Sequence, residues 1–197
     1  MPTNKCITIY KFDELSDEAK EKAREWFRDD ALDYEWYDGV EDDFKEIGKL
    51  LGINVTKVYF SGFWSQGDGA CFEGSYYYEK GSVKKLTEYA PQDKELHRIA
   101  KELQQAQKPN FYGVYGTIKH RGHYYHKMCT EIDLYRDDRE TIIGEDDIIE
   151  LLRNLMGWLY RTLEREYEYL NSDEQVDETI RINEYEFTEE GRRSVTI

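Results

Sequence analysis

Residues 53–79, INVTKVYFSGFWSQGDGACFEGSYYYE, constrain this chain more than any other stretch. Val, Ile, Thr, Tyr and Phe crowd both flanks, which suits a pleated, half-buried ribbon better than a helix. Between the flanks lie Gly67, Asp68 and Gly69. Asp-Gly bounded by β-rich runs is a hairpin signal, because glycine takes the positive φ that a tight turn demands. A second pair of strands is expected in FYGVYGTIKHRGHYYHKMCTEIDLY, residues 111–135, turning near Arg121–Gly122. Two hairpins in one chain call for an antiparallel sheet, and the rest of the sequence must cover it.

The remainder reads as helices with one strand at each end. CITIYKF alternates apolar and polar residues and is expected to form a first strand. Ser16 is placed to cap a helix whose first turn holds Asp17 and Glu18 and whose buried stripe is Ala19, Ala23, Trp26 and Phe27. Trp36, Val40, Phe44, Ile47 and Leu51 recur at helical spacing over 35–51, stopped by Gly52. Ser82–Tyr89 is a short helix. Pro91 is expected in the first turn of the next, with Leu96, Ile99, Ala100, Leu103 and Ala106 as its stripe and an end before Pro109. A long helix follows from about 145 to 170 on Ile148, Leu152, Leu155, Leu159 and Leu163. Ser172 and Gln175 have capping-box spacing for another, carrying Val176 and Ile180. A short strand and a tail fraying from about 189 close the chain. The expected class is α+β, an antiparallel sheet built from hairpins with several helices packed against it, in a single domain of residues 1–197.

Charge is unevenly distributed along the chain. Residues 1–50 carry 8 basic and 15 acidic side chains, residues 51–131 carry 11 and 8, and residues 132–197 carry 8 and 19. The acidic ends cannot gain affinity for a phosphate backbone by displacing counterions, so direct nucleic-acid binding is not expected of them. They suit a partner with a basic surface. Cys6, Cys71 and Cys129 are widely spaced and odd in number, as free thiols of a reducing compartment are. No apolar run is long enough to cross a bilayer, and MPTNKCITIYKF lacks the regions of a secretory signal. A cytoplasmic protein without a membrane partner is expected.

Two constellations could form a small-molecule site. In the first hairpin, glycines would let a ligand approach the backbone, with Trp64 as a stacking face and Ser65, Gln66 and Asp68 as hydrogen-bonding groups; an ordinary turn explains the same glycines. Neither a Walker loop nor a dinucleotide fingerprint is present. In the second, His120, His123 and His126 fall within seven residues, with Arg121 and Tyr124 among them. In a regular strand His120, Tyr124 and His126 share a face; a turn at Arg121–Gly122 instead sets His120 across from His123. These groups could hold an anionic ligand such as a nucleotide. They match no common zinc spacing, even with Cys71 and Cys129 added, so neither a metal nor any other cofactor is expected. No motif marks a catalytic nucleophile or acid–base pair, and the reading leans against an enzyme.

The acidic runs form a third feature. Trp36, Tyr37, Glu41, Asp42, Asp43 and Glu46, with Tyr167 and Tyr169 near the other end and Tyr34, Tyr185 and Phe187 beside further runs, alternate aromatic rings with carboxylates. Rings provide buried contact area and carboxylates can stand in for phosphates, which suits docking on a basic, nucleic-acid-handling protein. A solvated helix face with its aromatics turned inward accounts for the same pattern.

Five segments together carry a resemblance: YFSGFWSQGDGACFEGSY, YAPQDKELHRIAKELQ, IKHRGHYYH, YRTLEREYEYLNSDEQV and NEYEFTEEG. From KFDELSDEAKEKAREWF onward the chain is similar to a family of small acidic proteins of bacteriophages, prophages and other bacterial mobile elements. Members are often labelled as the antitoxin of a toxin–antitoxin stability system. The resemblance implies a phage-encoded protein of the bacterial cytoplasm, accessory to infection, and it brings no catalytic residues with it. Taken with the charge, the leading expectation is a non-enzymatic inhibitor of a bacterial defence or nucleic-acid-handling protein. The alternatives are capture or cleavage of a nucleotide immune signal at the two hairpins, and neutralisation of a cognate toxin.

Overall fold

The computed structural model describes residues 8–31, 35–137 and 141–194. In chain order its elements are β1 (Tyr10–Lys11), α1 (Asp17–Trp26), α2 (Asp38–Leu51), β2 (Ile53–Phe60), β3 (Ala70–Tyr77), α3 (Ser82–Tyr89), α4 (Lys94–Gln107), β4 (Val114–His120), β5 (Thr130–Arg136), α5 (Glu145–Leu170), α6 (Asp173–Ile182) and β6 (Glu186–Phe187). The class is α+β, with a four-stranded and a two-stranded antiparallel sheet. By internal contact the chain forms two compact units, residues 37–164 and residues 1–36 with 165–197. No helix among the described residues is long and apolar enough to cross a membrane.

In the larger unit, strands β2 to β5 form a meander in sequence order. α2 ends at Gly52, whose φ of +79° and whose approach to the Tyr77 carbonyl, 1.9 Å from where a Cβ would stand, leave room for glycine alone. One face of the sheet is core: Ile53, Val58, Phe72, Tyr76, Val114, Ile118, Ile132 and Leu134 are buried on it. The Phe44 ring of α2 lies 5.3 Å from Phe72 and 6.3 Å from Trp158 of α5. Every residue of the stripe expected on α5, from Ile148 to Leu163, is fully buried.

Buried polar groups tie the helices to the sheet. Gln107 lies with its amide against Val114, donating to the carbonyl at 2.8 Å and accepting the N–H at 3.2 Å, and it also donates to Tyr76 Oη. Asn110 brackets Ile143 in the same way, at 2.7 and 2.9 Å. Asp93 caps α4 through Oδ1 and receives the Trp158 indole N–H on Oδ2 at 2.8 Å. This cap places Pro91 differently from expectation: the proline stands in the turn closed by Asp93 N–H to Ala90 O, before the helix. There its fixed φ suits the turn, while the Asp93 carboxylate satisfies the helix start.

The smaller unit packs Phe12, Leu15, Ala19, Ala23, Phe27, Val176, Ile180 and Phe187 into its own core, with Tyr10, Trp26 and Tyr185 against it. Arg24 grips Asp177 with two hydrogen bonds, Nε to Oδ1 at 2.6 Å and Nη2 to Oδ2 at 2.8 Å. Asp177 in turn raises the guanidinium pKa further above its already high ordinary value. Ser16 and Ser172 cap α1 and α6 as their spacing predicts. Among the described residues of CITIYKF only Tyr10–Lys11 pairs, with β6, and the strand stops there because Phe12 opens a short 3-10 turn. Cys6 and Ile7 lie outside the described residues. The tail is hydrogen-bonded as far as Ser194, whose N–H donates to Glu186 O.

Candidate functional site

The loop joining β2 to β3 is built around Asp68. Its Oδ2 accepts the Ser65 N–H at 2.7 Å and its own N–H returns to Ser65 O, while Ser61 N–H to Gly69 O closes the base. Asp68 is thus engaged in holding the turn. Ser65 and Gln66 are exposed, and Trp64 is 71% exposed with its ring edge-on to Phe63 at 6.1 Å.

The second hairpin departs from expectation. β4 ends at His120 and β5 begins at Thr130, so residues 121–129 form a loop with a 3-10 turn at Lys127–Cys129 and Gly122 at φ +91°. Neither predicted arrangement of the histidines applies. Positive φ at Gly122 ends the extended run, and His126 caps the 3-10 turn by accepting the Met128 N–H on Nδ1 at 3.2 Å. His120 contacts the Tyr124 carbonyl at 3.1 Å, and its ring lies tilted 4.8 Å from that of Tyr59. His123 is exposed and edge-on to Tyr124, and Arg121 donates to Glu131 at 2.8 Å. Among the described residues no group of three or more His, Cys, Asp or Glu is arranged to hold a metal ion.

The two loops do meet. A Cβ on Gly67 would stand 3.1 Å from the Tyr124 ring, and one on Gly69 would stand 2.8 Å from His126 Cα. The close approach that these glycines permit is therefore taken by the neighbouring loop. Beneath them Glu73 accepts the His120 N–H at 3.1 Å and the Tyr59 hydroxyl at 3.2 Å. The Cys71 thiol is pushed up to about 12, chiefly by burial, with Cys129 and Glu73 adding to it. So little of it is thiolate at neutral pH that it is a poor nucleophile.

The acidic candidates fall into two groups. Glu41, Asp42, Asp43 and Glu46 ride on α2 of the larger unit, and Tyr37 precedes them with its ring 5.1 Å from Phe60. Trp36 and Tyr167 belong to the smaller unit, rings 5.4 Å apart, and Tyr169 there is exposed. On α2, Asp42 and Glu41 face Lys45 at 3.0 and 3.8 Å and Glu46 holds Lys49. Asp42 raises the Lys45 pKa through that contact. Asp43 accepts the Tyr89 hydroxyl at 2.6 Å, which pushes that phenol up to about 12, with burial second. Asp42, Asp43, Lys45, Glu46, Lys49, Asn54, Val55 and Tyr89 line a cleft of about 580 Å³. Tyr34 lies outside the described residues.

Sequence reasoning passed over an aromatic end of the sheet. Tyr77, Tyr115 and Tyr135 stand side by side on β3, β4 and β5, opposite the core, with ring centroids 5.6 and 5.8 Å apart. Beside them Tyr112 lies 4.7 Å from Tyr78, and Phe111 is 76% exposed under the Arg136 guanidinium. Phe111 and Tyr112 both have positive φ, 54° and 61°, with Gly113 N–H donating to Asn110 O, the pattern of a type I′ turn. Counting strand registers together would have aligned the three tyrosines; nothing local marks them.

Residues 36–173 match a protein family described as Domain of unknown function (DUF8835), a span that takes in the whole of the larger unit. No curated protein and no solved structure matches the chain.

Proposed function

The chain belongs to the DUF8835 family, and we propose that this member works by binding a protein, with the acidic cleft of α2 as its contact surface. The supporting observation is the cleft itself. Three carboxylates singled out by charge pattern, Asp42, Asp43 and Glu46, line it together with Lys45, Lys49 and the half-exposed Tyr89. Carboxylates around an aromatic ring favour a cationic partner surface, where they contribute orientation and association rate as much as affinity. The partner class is a bacterial protein whose basic surface handles nucleic acid, in the cytoplasm of a cell carrying the mobile element that encodes this chain. Neutralisation of a cognate toxin is the same mechanism with a different partner.

Capture of a nucleotide at the two loops is the second reading. Its support is the meeting of the loops beside the exposed Trp64. Asp68, Arg121 and His126 are each engaged within the protein, as Asp42, Asp43 and Glu46 are on α2, and the cleft beside the latter is what favours the first reading.

Co-purification from bacteria carrying the element tests the choice, with bound proteins and small molecules both measured by mass spectrometry. The binding reading expects a stoichiometric protein partner that is lost in the Asp42→Lys, Asp43→Lys, Glu46→Lys variant and kept in the Trp64→Ala, His123→Ala variant. A partner indifferent to the charge reversal would overturn the assignment of the cleft. An added mass of a few hundred daltons, lost with Trp64 and His123, would move the function to the loops.

A further inference from the structure

In a chain with 42 acidic side chains, a half-buried arginine whose Nε finds no acceptor among the described residues needs an explanation. Arg153 on α5 is such a residue. Its Nε is shielded from solvent, and no described group accepts from it. Residues three, four and seven apart share a helix face, so the neighbours of Arg153 along α5 show which way this face looks. Glu150 reaches Lys127 Nζ at 3.8 Å. Met156 receives the Thr130 hydroxyl at 3.8 Å. Tyr160 donates to the Gly62 carbonyl at 3.3 Å and lies 5.6 Å from Phe63. The ridge that carries Arg153 therefore faces the start of β5, the 3-10 turn before it and the base of the β2–β3 loop. Glu150 is the one carboxylate within a helical turn of Arg153, and its partner is Lys127.

A guanidinium donor removed from water without an acceptor is costly, and a charge-assisted bond to an anion relieves that cost. Lys127, paired with Glu150 one turn from Arg153, is a second cation on this face. We propose that Arg153, with Lys127 beside it, is the fixed cation of a site for a single phosphate-type oxyanion, located between α5 and residues 127–130. The planar guanidinium offers two parallel donors to such a group, which the lysine ammonium cannot. Free phosphate and the phosphoryl group of a nucleotide share this chemistry. The site is independent of the acidic cleft on α2.

Thermal unfolding of the full chain tests it, at constant ionic strength, with inorganic phosphate, adenosine monophosphate and acetate titrated separately. Phosphate should raise the melting temperature by about 5 °C once it stands a hundredfold above its dissociation constant. Arg153→Met should abolish that rise, and Arg153→Lys, which keeps the charge and the fold more conservatively, should weaken the affinity at least tenfold. A larger effect of adenosine monophosphate than of phosphate supports the site with a nucleotide as its source. No rise with either in the unaltered protein overturns it, as does an equal rise in the unaltered protein and Arg153→Lys, or an acetate effect as large as that of phosphate.

Discussion

Gly69 and His126 belong to different hairpins, yet a Cβ on the first would stand 2.8 Å from the Cα of the second. Contact that close is with backbone, which cannot rotate aside as a side chain can. Gly69→Ala should therefore destabilise the protein by roughly 1–3 kcal/mol, the range for a forced overpacking. It should also open residues 121–126 to protease. Urea unfolding and limited proteolysis measure the two effects; a loss below about 0.5 kcal/mol would mean that the loops do not pack as described.

Alkaline pH should expose a second dependence. The buried Tyr76 hydroxyl is pushed up to about 12 from near 10, first by burial, and the hydrogen bond from Gln107 opposes that shift. In the unfolded chain the phenol ionises near 10, while in the folded chain it stays protonated. The unfolded state thus binds fewer protons between pH 10 and 12, and stability falls as pH rises across that window. Two units correspond to about 3 kcal/mol. Cys71, also pushed up to about 12, adds a loss that begins near pH 9. Urea unfolding from pH 8 to 12 should show a shallower fall in Tyr76→Phe than in the unaltered protein. Parallel curves would refute the assignment to Tyr76.

The Phe111–Tyr112 turn makes the opposite kind of prediction, a gain. Left-handed backbone costs a non-glycine residue roughly 1–2 kcal/mol, and the Phe111 ring recovers little of it because three quarters of the side chain is exposed. The Arg136 contact returns about 0.5–1 kcal/mol at such a site. Phe111→Asn, which tolerates positive φ, should leave stability unchanged or raise it by about 1 kcal/mol. A loss greater than about 1 kcal/mol in chemical unfolding would show that the ring contributes to the fold in a way its exposure does not reveal.

What the sequence disclosed follows the range of the interactions involved. Ser16, Ser172 and Gly52 act within a turn of where they sit, and the stripe on α5 repeats over the whole helix, so all were legible. The β2–β3 pairing was legible because its strands adjoin. Pro91 was misplaced because Asp93, two residues on, is the stronger helix start. The histidine loop was misread because Gly122 at positive φ and the His126 cap replaced a tight turn. The tyrosine row depends on the register of three strands, and Arg153 on what an entire helix face meets. Neither leaves a mark within a window of residues. The acids of α2 were found from charge pattern alone, but their sharing of a cleft with Tyr89 required α3 to be in place.

Every pairing in the larger sheet joins strands that follow one another, while β1 finds its partner only in β6, the last strand of the chain. During synthesis the meander can close as each strand emerges, since its connections, residues 61–69, 78–113 and 121–129, are short beside the span from β1 to β6 and closure entropy grows slowly with length. The first helix has no such opportunity. Its apolar stripe, Ala19, Ala23 and Phe27, waits for Val176, Ile180 and Phe187 through the translation of everything between them. At about 5–20 residues per second that exposure lasts on the order of ten seconds. Once β5 has emerged, the nascent chain presents a finished sheet and an unburied amphipathic helix, and a chaperone would have the helix as its target.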